Sequence, residues 1–250
     1  MKILVTCKRV PDTDQKIRVK EDGSGIDDSN LGYVLNPFDA IAVEEALQIR
    51  EVDRSDAEIQ IVVVGVGILD YEAELRTALA MGADRAILVE NNTTMDPWTV
   101  ANTIAAVVQR ESPDLVLMGK QAVDDDANQT GQFLAALLQW PQATFASKIE
   151  FGGLGLQVAR ETDQGIETIE VPLPAVVTAD LRLNEPRYAS LPSILKARKK
   201  EIEIIPLADL HLNVAPQIEV LSMKSEVIQR NCVMLEDVSS LIEVISPPLQ

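Results

Sequence analysis

The sequence predicts an α/β fold: a doubly wound, mostly parallel sheet with helices on both faces, an antiparallel hairpin and an extended C-terminal arm. Three observations lead to this prediction. Short aliphatic runs of strand length alternate with helix-period segments before Trp140. Two segments of alternating apolar and polar residues follow, separated by a turn. Beyond Glu201 the chain is punctuated by prolines and has too few apolar residues for a second core.

Four aliphatic runs are predicted to form parallel strands of a sheet that is covered on both faces. Helix-period segments and loops of a few residues separate them, so each strand is expected to connect to the next through a helix. Right-handed connections of this kind place the ligand-facing loops at the carboxyl ends of the strands. The runs are residues 2–7, 59–66, 86–89 and 115–118.

The helix-period segments carry recognisable signals at their ends. Asn36 supplies an N-cap and Pro37 a first-turn proline, and Asp96 with Pro97 repeats the arrangement. Gly82 is a helix stop. The predicted helices are residues 38–50, 71–81, 98–110 and 127–138.

The hairpin is predicted from residues 158–160 and 166–171, which alternate apolar and polar side chains on either side of a turn at 162–165. Pro174 then opens residues 175–178, an apolar β-prone run that is expected to be buried on both faces. The hairpin therefore interrupts the regular order of strand and helix with antiparallel strands.

Composition narrows the classes of function. The formal net charge of −17 and the sequence pI near 4.4 argue against nucleic acid as a general partner, since phosphate binding needs a positive surface. No apolar stretch approaches the ~20 residues that span a bilayer, so we expect a soluble protein without membrane insertion. Cys7 and Cys232 form no CxxC pair, and a single histidine, His211, argues against a metal site or a catalytic relay.

Four loops at strand ends are expected to converge on one crevice: residues 6–8, 36–39, 66–67 and 119–130. In the last of them, glycine at 119 permits close approach of a ligand to the backbone. Free amides at the start of the following helix favour an anion, and the polar side chains of residues 128–130 add uncharged donors.

A purely structural interpretation of this loop stays open from residue types alone. Asp124, Asp125 and Asp126 precede a predicted helix, where the helix dipole favours acidic residues without any ligand. Three adjacent carboxylates also repel a phosphate. The loop matches neither a Walker motif nor a GxGxxG fingerprint.

A second candidate site is the docking segment, residues 187–196, with the sequence RYASLPSILK. Leu191 lies between small or turn-forming residues and is followed by Pro192. Such a leucine can simply begin a surface helix. The basic residues at 196 and 198–200 form a local positive patch on an acidic protein, although a solvated helix end has the same composition.

Residues 158–178 resemble the signature of the electron transfer flavoprotein beta subunit family. A basic residue, an acidic turn, Glu167, Ile169 and a proline before paired aliphatics occur at matching spacing, and only Gln164 departs from the pattern. The resemblance is weakest beyond Val214. It extends through residues 8–10, 36–38, 78–85, 119–131, 140–141 and 181–200.

The resemblance implies a nucleotide-binding domain of the adenine-nucleotide alpha-hydrolase type over residues 1–205, and a C-terminal arm over residues 206–250 that packs on an alpha subunit. It implies that AMP binds in the strand-end crevice as a structural nucleotide, in the branch that does not bifurcate electrons. The implied AMP-binding positions are Thr6, Asn36, Pro37, Phe38, Asp39, Val66, Gly119, Lys120, Gln121, Ala122, Val123, Asp124, Asp125, Asp126, Ala127, Asn128, Gln129 and Thr130.

The resemblance also implies partners. FAD is held mainly by the alpha subunit at the interface, so this chain is a carrier subunit without catalytic residues; Thr13 stands where some relatives place a tyrosine near the flavin. Electrons pass from acyl-CoA dehydrogenases and related flavoproteins to a membrane quinone oxidoreductase. The implied docking positions are Arg187, Tyr188, Ala189, Ser190, Leu191, Pro192, Ser193, Ile194, Leu195 and Lys196.

The implied compartment is the cytoplasm of a bacterium or the mitochondrial matrix of a eukaryote. Two alternatives stay open. One is an electron-bifurcating subunit with a second FAD in place of AMP, and the other is a stand-alone α/β protein that binds or hydrolyses a nucleotide.

Overall fold

A computed structural model describes residues 1–52, 58–152, 155–225 and 232–246. Its strands are β1 (Lys2–Thr6), β2 (Arg9–Pro11), β3 (Tyr33–Leu35), β4 (Gln60–Gly67), β5 (Arg85–Glu90), β6 (Leu115–Gly119), β7 (Gln142–Gly152), β8 (Gly155–Thr162), β9 (Gly165–Pro172), β10 (Ala175–Ala179) and β11 (Ile202–Pro206). Its α-helices are α1 (Pro37–Val52), α2 (Glu72–Met81), α3 (Pro97–Glu111), α4 (Thr130–Leu138), α5 (Leu191–Ala197) and α6 (Val238–Ile245), and short 3-10 turns occupy Leu69–Tyr71 and Leu207–Leu210.

The α/β prediction with a mostly parallel sheet is confirmed. Nine described strands form one sheet in the order β11-β5-β4-β1-β6-β10-β7-β8-β9, and β2 pairs with β3 in a small antiparallel sheet. The first seven of those nine are parallel, and β7, β8 and β9 are joined antiparallel, which confirms the predicted hairpin. The chain leaves β1 toward β4 on one side and returns to β6 on the other. This reversal places a crevice at the carboxyl ends of β1 and β6.

The sheet carries a hydrophobic core on each face, because successive strand side chains point in opposite directions. Ile3 and Val5 of β1 pack with α1, α2 and the end of α5, while Leu4 packs with α3 and α4. The predicted strand at 175–178 is buried throughout, as β10, between β6 and β7.

The last of the predicted helices begins later than expected. Residues 127–129 precede α4, which starts at Thr130. The physical reason is that Asp126 and Asn128 have left-handed backbone conformations, with φ of 48° and 49°, which a right-handed helix cannot include.

Backbone contacts divide the chain into two compact units. The first comprises Met1–Ile17 and Asp28–Val220, and the second comprises Arg18–Asp27 and Leu221–Gln250. In the second unit, the amide of Met223 donates to the carbonyl of Gly23 at 2.8 Å, and Asp237 caps α6. The domain boundary predicted at residue 205 stays a prediction; residues 206–220 lie in the first unit. Within the described ranges, no helix has the length and apolar character needed to cross a bilayer.

Candidate nucleotide site and docking segment

The crevice at the reversal of strand order is lined by the ends of three neighbouring strands, β4, β1 and β6. Thr6 is the last residue of β1 and pairs in register with Val64 of β4. Val66 lies near the end of β4, and Gly119 ends β6. The structure therefore brings these three predicted positions to one edge of the sheet.

Asp39 in the first turn of α1 joins two of these strand ends. Its carboxylate accepts the amide of Lys8 at 2.8 Å and the amide of Gly119 at 2.9 Å. The side chain is buried, and burial raises the pKa of Asp39 to about 6, although the amides of Lys8 and Gly119 act in the opposite direction. Asp39 is thus a buried acceptor that fixes the backbone around the crevice.

Asn36, immediately before α1, holds the loop that follows β6. Its amide donates to the carbonyl of Gln121 at 2.9 Å, and its carbonyl oxygen accepts the amide of Val123 at 3.3 Å. The side chain predicted as an N-cap therefore reaches across to residues 121–123. Pro37 begins α1, as its fixed φ favours.

The three aspartates of the loop are engaged within the protein. Lys8 Nζ lies 2.7 Å from Asp124 and 3.1 Å from Asp125, and Gln121 donates to Asp126 at 2.7 Å. Burial acts to lower the pKa of Lys8, but Asp124 and Asp125 together raise it. The protonated Lys8 offsets the negative charge that would otherwise repel a phosphate.

The start of α4 supplies amides that suit an anion. Gln129 precedes the helix, and its side chain makes no capping hydrogen bond. The amide of Phe133 donates to the carbonyl of Gln129 at 3.0 Å, so the amides of Thr130, Gly131 and Gln132 precede the first α-helical bond. Together with the dipole of α4, these amides fit a phosphate group.

Gly119 is required by packing against α1. A Cβ atom there would lie 2.6 Å from Cβ of Phe38 and 2.7 Å from Oδ1 of Asp39. The neighbouring Lys120 turns toward Asp180, 2.7 Å away, and its ammonium lies 5.4 Å from the centre of the Phe38 ring. Lys120 and Phe38 therefore hold the start of the loop in place. The hydrogen-bond donors that suit an anion lie instead at the start of α4.

The docking segment begins with side chains that face the protein. Arg187 forms ion pairs with Glu44 and Glu51 of α1. Ala189 and Ile194 are partly buried against the core beneath α1 and α2. These residues hold the segment on the sheet's covering helices.

The outer face of the docking segment is apolar. Ser190 caps α5 by accepting the amide of Ser193, and Leu191 and Pro192 then open the helix. Leu191 is 69% exposed, Leu195 50% exposed, and Tyr188 fully exposed. Leu191 and Leu195, four residues apart, lie on one face of α5.

The basic residues at 196 and 198–200 differ in their exposure to solvent. Lys196, Arg198 and Lys199 are exposed. Lys200 instead donates to the carbonyls of Ala83 at 2.7 Å and of Asp84 at 3.2 Å, so its ammonium is tied to the turn after α2.

Comparison with known proteins supplies the family. The family model of the electron transfer flavoprotein domain matches residues 24–210. The electron transfer flavoprotein subunit beta of Bradyrhizobium diazoefficiens is 49% identical over 242 residues, covering 97% of this chain and 96% of the relative. The chain belongs to the electron transfer flavoprotein beta subunit family.

Relatives in two other organisms agree. The mitochondrial electron transfer flavoprotein subunit beta of Arabidopsis thaliana is 47% identical over 245 residues, with 97% of this chain and 96% of the relative covered. The electron transfer flavoprotein subunit beta of Homo sapiens is 47% identical over 228 residues, with 90% and 88% covered. As an electron transfer flavoprotein beta subunit, the chain has an electron-carrier role and a partner subunit.

Two contributors to the crevice of this beta subunit were not among the individual AMP-binding positions, although one of them, Lys8, lies in the loop 6–8 that was expected there. Lys8 follows β1 directly and neutralises two loop aspartates. Tyr71 packs against Gly67, where a Cβ atom would lie 2.3 Å from the ring. A lysine at a strand end opposite an acidic loop is a signal that the sequence contains; the Tyr71 contact has no local signal, because it depends on the placement of the turn after β4.

Proposed function

We propose that this chain is the beta subunit of a heterodimeric carrier that takes electrons from acyl-CoA dehydrogenases and related flavoprotein dehydrogenases and delivers them to a membrane quinone oxidoreductase. The observation that carries the proposal is the exposed leucine face of α5, in a chain that matches electron transfer flavoprotein beta subunits over 97% of its length. A shuttle needs a surface that binds several partners briefly, and a small apolar face with a basic rim has that character.

AMP is the nucleotide that we assign to the crevice. A phosphate fits the first-turn amides of α4 and the hydroxyl of Thr130, and Lys8 lowers the negative potential of the adjacent aspartates. The ribose and the adenine are assigned to backbone near Thr6, Val66 and residues 119–128. We assign this nucleotide a structural role. In this proposal it stabilises the loop that Asn36 also holds, through hydrogen bonds to residues 121 and 123.

FAD, held mainly by the alpha subunit, supplies the redox chemistry. This chain contributes one wall of the flavin pocket and the surface on which a dehydrogenase docks. Its residues orient the two proteins and exclude water between them.

The contribution of Leu191 to the free energy of docking follows from the burial of its side chain. Burial of one leucine contributes roughly 1.5 to 3 kcal/mol, which suits a complex that forms and dissociates in each cycle. The exposed cations at 196, 198 and 199 accelerate the encounter with an acidic partner surface.

Co-expression with an alpha subunit tests the proposal. The purified complex is extracted with acid, its flavin and adenine nucleotides are quantified, and stopped-flow absorbance follows flavin reduction by a reduced acyl-CoA dehydrogenase. We expect one FAD and one AMP per complex and rapid reduction. Two flavins and no AMP indicate the bifurcating branch, and a stable flavin-free monomer that hydrolyses ATP refutes the carrier assignment.

A further inference from the structure

We propose that Arg187 is a positioning residue for partner docking: by clamping the start of the docking segment to α1, it presents Leu191 outward in one orientation. This inference rests on the proposed function, because it concerns the same docking event. It assigns Arg187 to the support of the docking surface and not to contact with a dehydrogenase.

The clamp consists of five hydrogen bonds from Arg187 to two carboxylates of α1. Its Nε and Nη2 atoms each lie 2.8 Å from a different oxygen of Glu44, and its backbone amide lies 3.1 Å from Glu44 Oε2. Its Nη1 and Nη2 atoms lie 2.6 Å and 3.2 Å from the oxygens of Glu51. A planar guanidinium held in this way fixes both the distance and the rotation of the chain at residue 187.

The buried carboxylate of Glu44 stays ionised because of its pairing with Arg187. It is 3% exposed, and beyond Arg187 it accepts a hydrogen bond from Gln48 at 3.0 Å. Burial acts to raise the pKa of Glu44, but the hydrogen bonds from Arg187 bring it below the ordinary value. Such a pair adds little net stability when formed, whereas the loss of one partner leaves a buried charge uncompensated. Its main consequence is therefore geometric.

Further contacts hold the rest of the segment. Just before it, Asn184 donates to the carbonyl of Ile41 at 3.2 Å and to Glu45 at 2.9 Å. At the end of α5, Arg76 donates to the carbonyls of Ala197 at 3.0 Å and Lys200 at 3.1 Å. The segment is thus clamped at both ends, and Leu191 is exposed between the clamps.

Exchange of Arg187 for glutamine in the heterodimer tests the inference. With the complex as electron acceptor of an acyl-CoA dehydrogenase, we expect Arg187→Gln to raise KM about ten-fold, with the rate at saturation and the FAD and AMP contents unchanged. Arg187→Lys keeps the charge without the planar fork and is expected to be intermediate. Glu44→Gln removes the buried charge of the clamp and weakens its bonds to Arg187, while the pair between Arg187 and Glu51 remains. It leaves no unpaired buried carboxylate, so it provides the second test if Arg187→Gln does not fold.

Combination with Leu191→Ala separates positioning from direct contact. If Arg187 acts through the leucine, Arg187→Gln adds little to the KM of Leu191→Ala. Additive effects would mean that Arg187 itself touches the dehydrogenase, and an unchanged KM for both Arg187→Gln and Glu44→Gln would also overturn the inference.

Arg50→Gln is the matched control. Arg50 lies on α1, the helix that carries Glu44 and Glu51. Its side chain is 31% exposed against 35% for Arg187, and it pairs with Asp84. We expect a wild-type KM. Amide hydrogen exchange of residues 184–196 provides an independent readout: exchange should accelerate in Arg187→Gln and not in Arg50→Gln. If the wild-type complex accepts no electrons, the proposed function fails, while unchanged exchange in Arg187→Gln refutes the clamp alone.

Discussion

Oδ1 of Asp39 accepts a hydrogen bond from the amide of Gly119 at 2.9 Å, across 80 positions of sequence. This bond ties the first turn of α1 to the end of β6, where the candidate nucleotide loop begins. The same carboxylate accepts the amide of Lys8, so one buried side chain holds both strand ends that flank the crevice. The geometry of the candidate nucleotide site therefore depends on this buried carboxylate.

A side chain at position 119 should abolish nucleotide retention. In Gly119→Val, the added atoms collide with Phe38 and with Asp39, so the first turn of α1 must move. We expect loss of AMP from the purified heterodimer and a decrease of about 1 to 3 kcal/mol in the free energy of unfolding. Acid extraction and urea denaturation measure the two effects. Gly25→Ala, at a glycine with open space around it, is the control; equal AMP content in both variants would refute the packing argument.

Asp39 should make stability depend on pH. Its pKa is raised from 3.8 to about 6 by burial, so the folded protein binds this proton more tightly than the unfolded chain. The resulting stabilisation is complete below pH 3.8 and is lost as the pH rises through about 6. For two pKa units the change is about 3 kcal/mol.

Asp39→Asn removes this titration and provides the measurement. Urea titrations of the heterodimer give the free energy of unfolding of the wild type relative to that of the variant. This relative free energy should decrease between pH 4 and pH 7. A difference that is constant over this range would contradict the assignment.

Lys8 should support nucleotide binding through charge. Lys8→Gln leaves the carboxylates of Asp124 and Asp125 without their cation, so they repel the phosphate. We expect AMP affinity to fall about ten-fold at low ionic strength, and less at high salt because of screening. Equilibrium dialysis with AMP measures it. Lys148→Gln, which removes an exposed pair with Glu150, should bind AMP as the wild type does.

Leu191→Ala should weaken docking without loss of stability. Its side chain is 69% exposed, so truncation opens no cavity, whereas the loss of a buried anchor in the complex costs roughly 1.5 to 3 kcal/mol, or ten-fold to a hundred-fold in affinity. Stopped-flow reduction by several dehydrogenases should slow in parallel, with flavin content unchanged. Ile194→Ala, which packs on the core, should instead lower the melting temperature. Wild-type rates in Leu191→Ala would refute the docking role.

The C-terminal arm should resist proteolysis only in the heterodimer. Leu221, Met234 and Val238 are 85%, 87% and 70% exposed. A short segment normally leaves less apolar surface in contact with water. We expect limited trypsin digestion of the isolated chain to cleave beyond residue 220, and the alpha subunit to protect these sites. Equal cleavage rates with and without the alpha subunit would show that the arm does not pack there.

Most strands and helices of the core were predictable, because their signals are local. The aliphatic runs became β1, β4, β5 and β6, the segments of alternating apolar and polar residues became the hairpin, and Asp96 with Pro97 starts α3 as predicted. The exception at α4 has a local cause that composition does not reveal: Asp126 and Asn128 adopt left-handed conformations that residue type permits but does not require.

The sequence by itself determined the alternation of strands and helices, the resemblance to the family and the composition of the two candidate sites. Only the tertiary structure decided which way individual side chains turn. Lys120 faces Asp180, and Arg187 faces Glu44, which lies 143 positions away in sequence. The physical reason is that propensity and periodicity act over only a few residues. These pairings depend on strand order, because the order of the sheet brings the ends of β1 and β6 and the helix α1 close to one another.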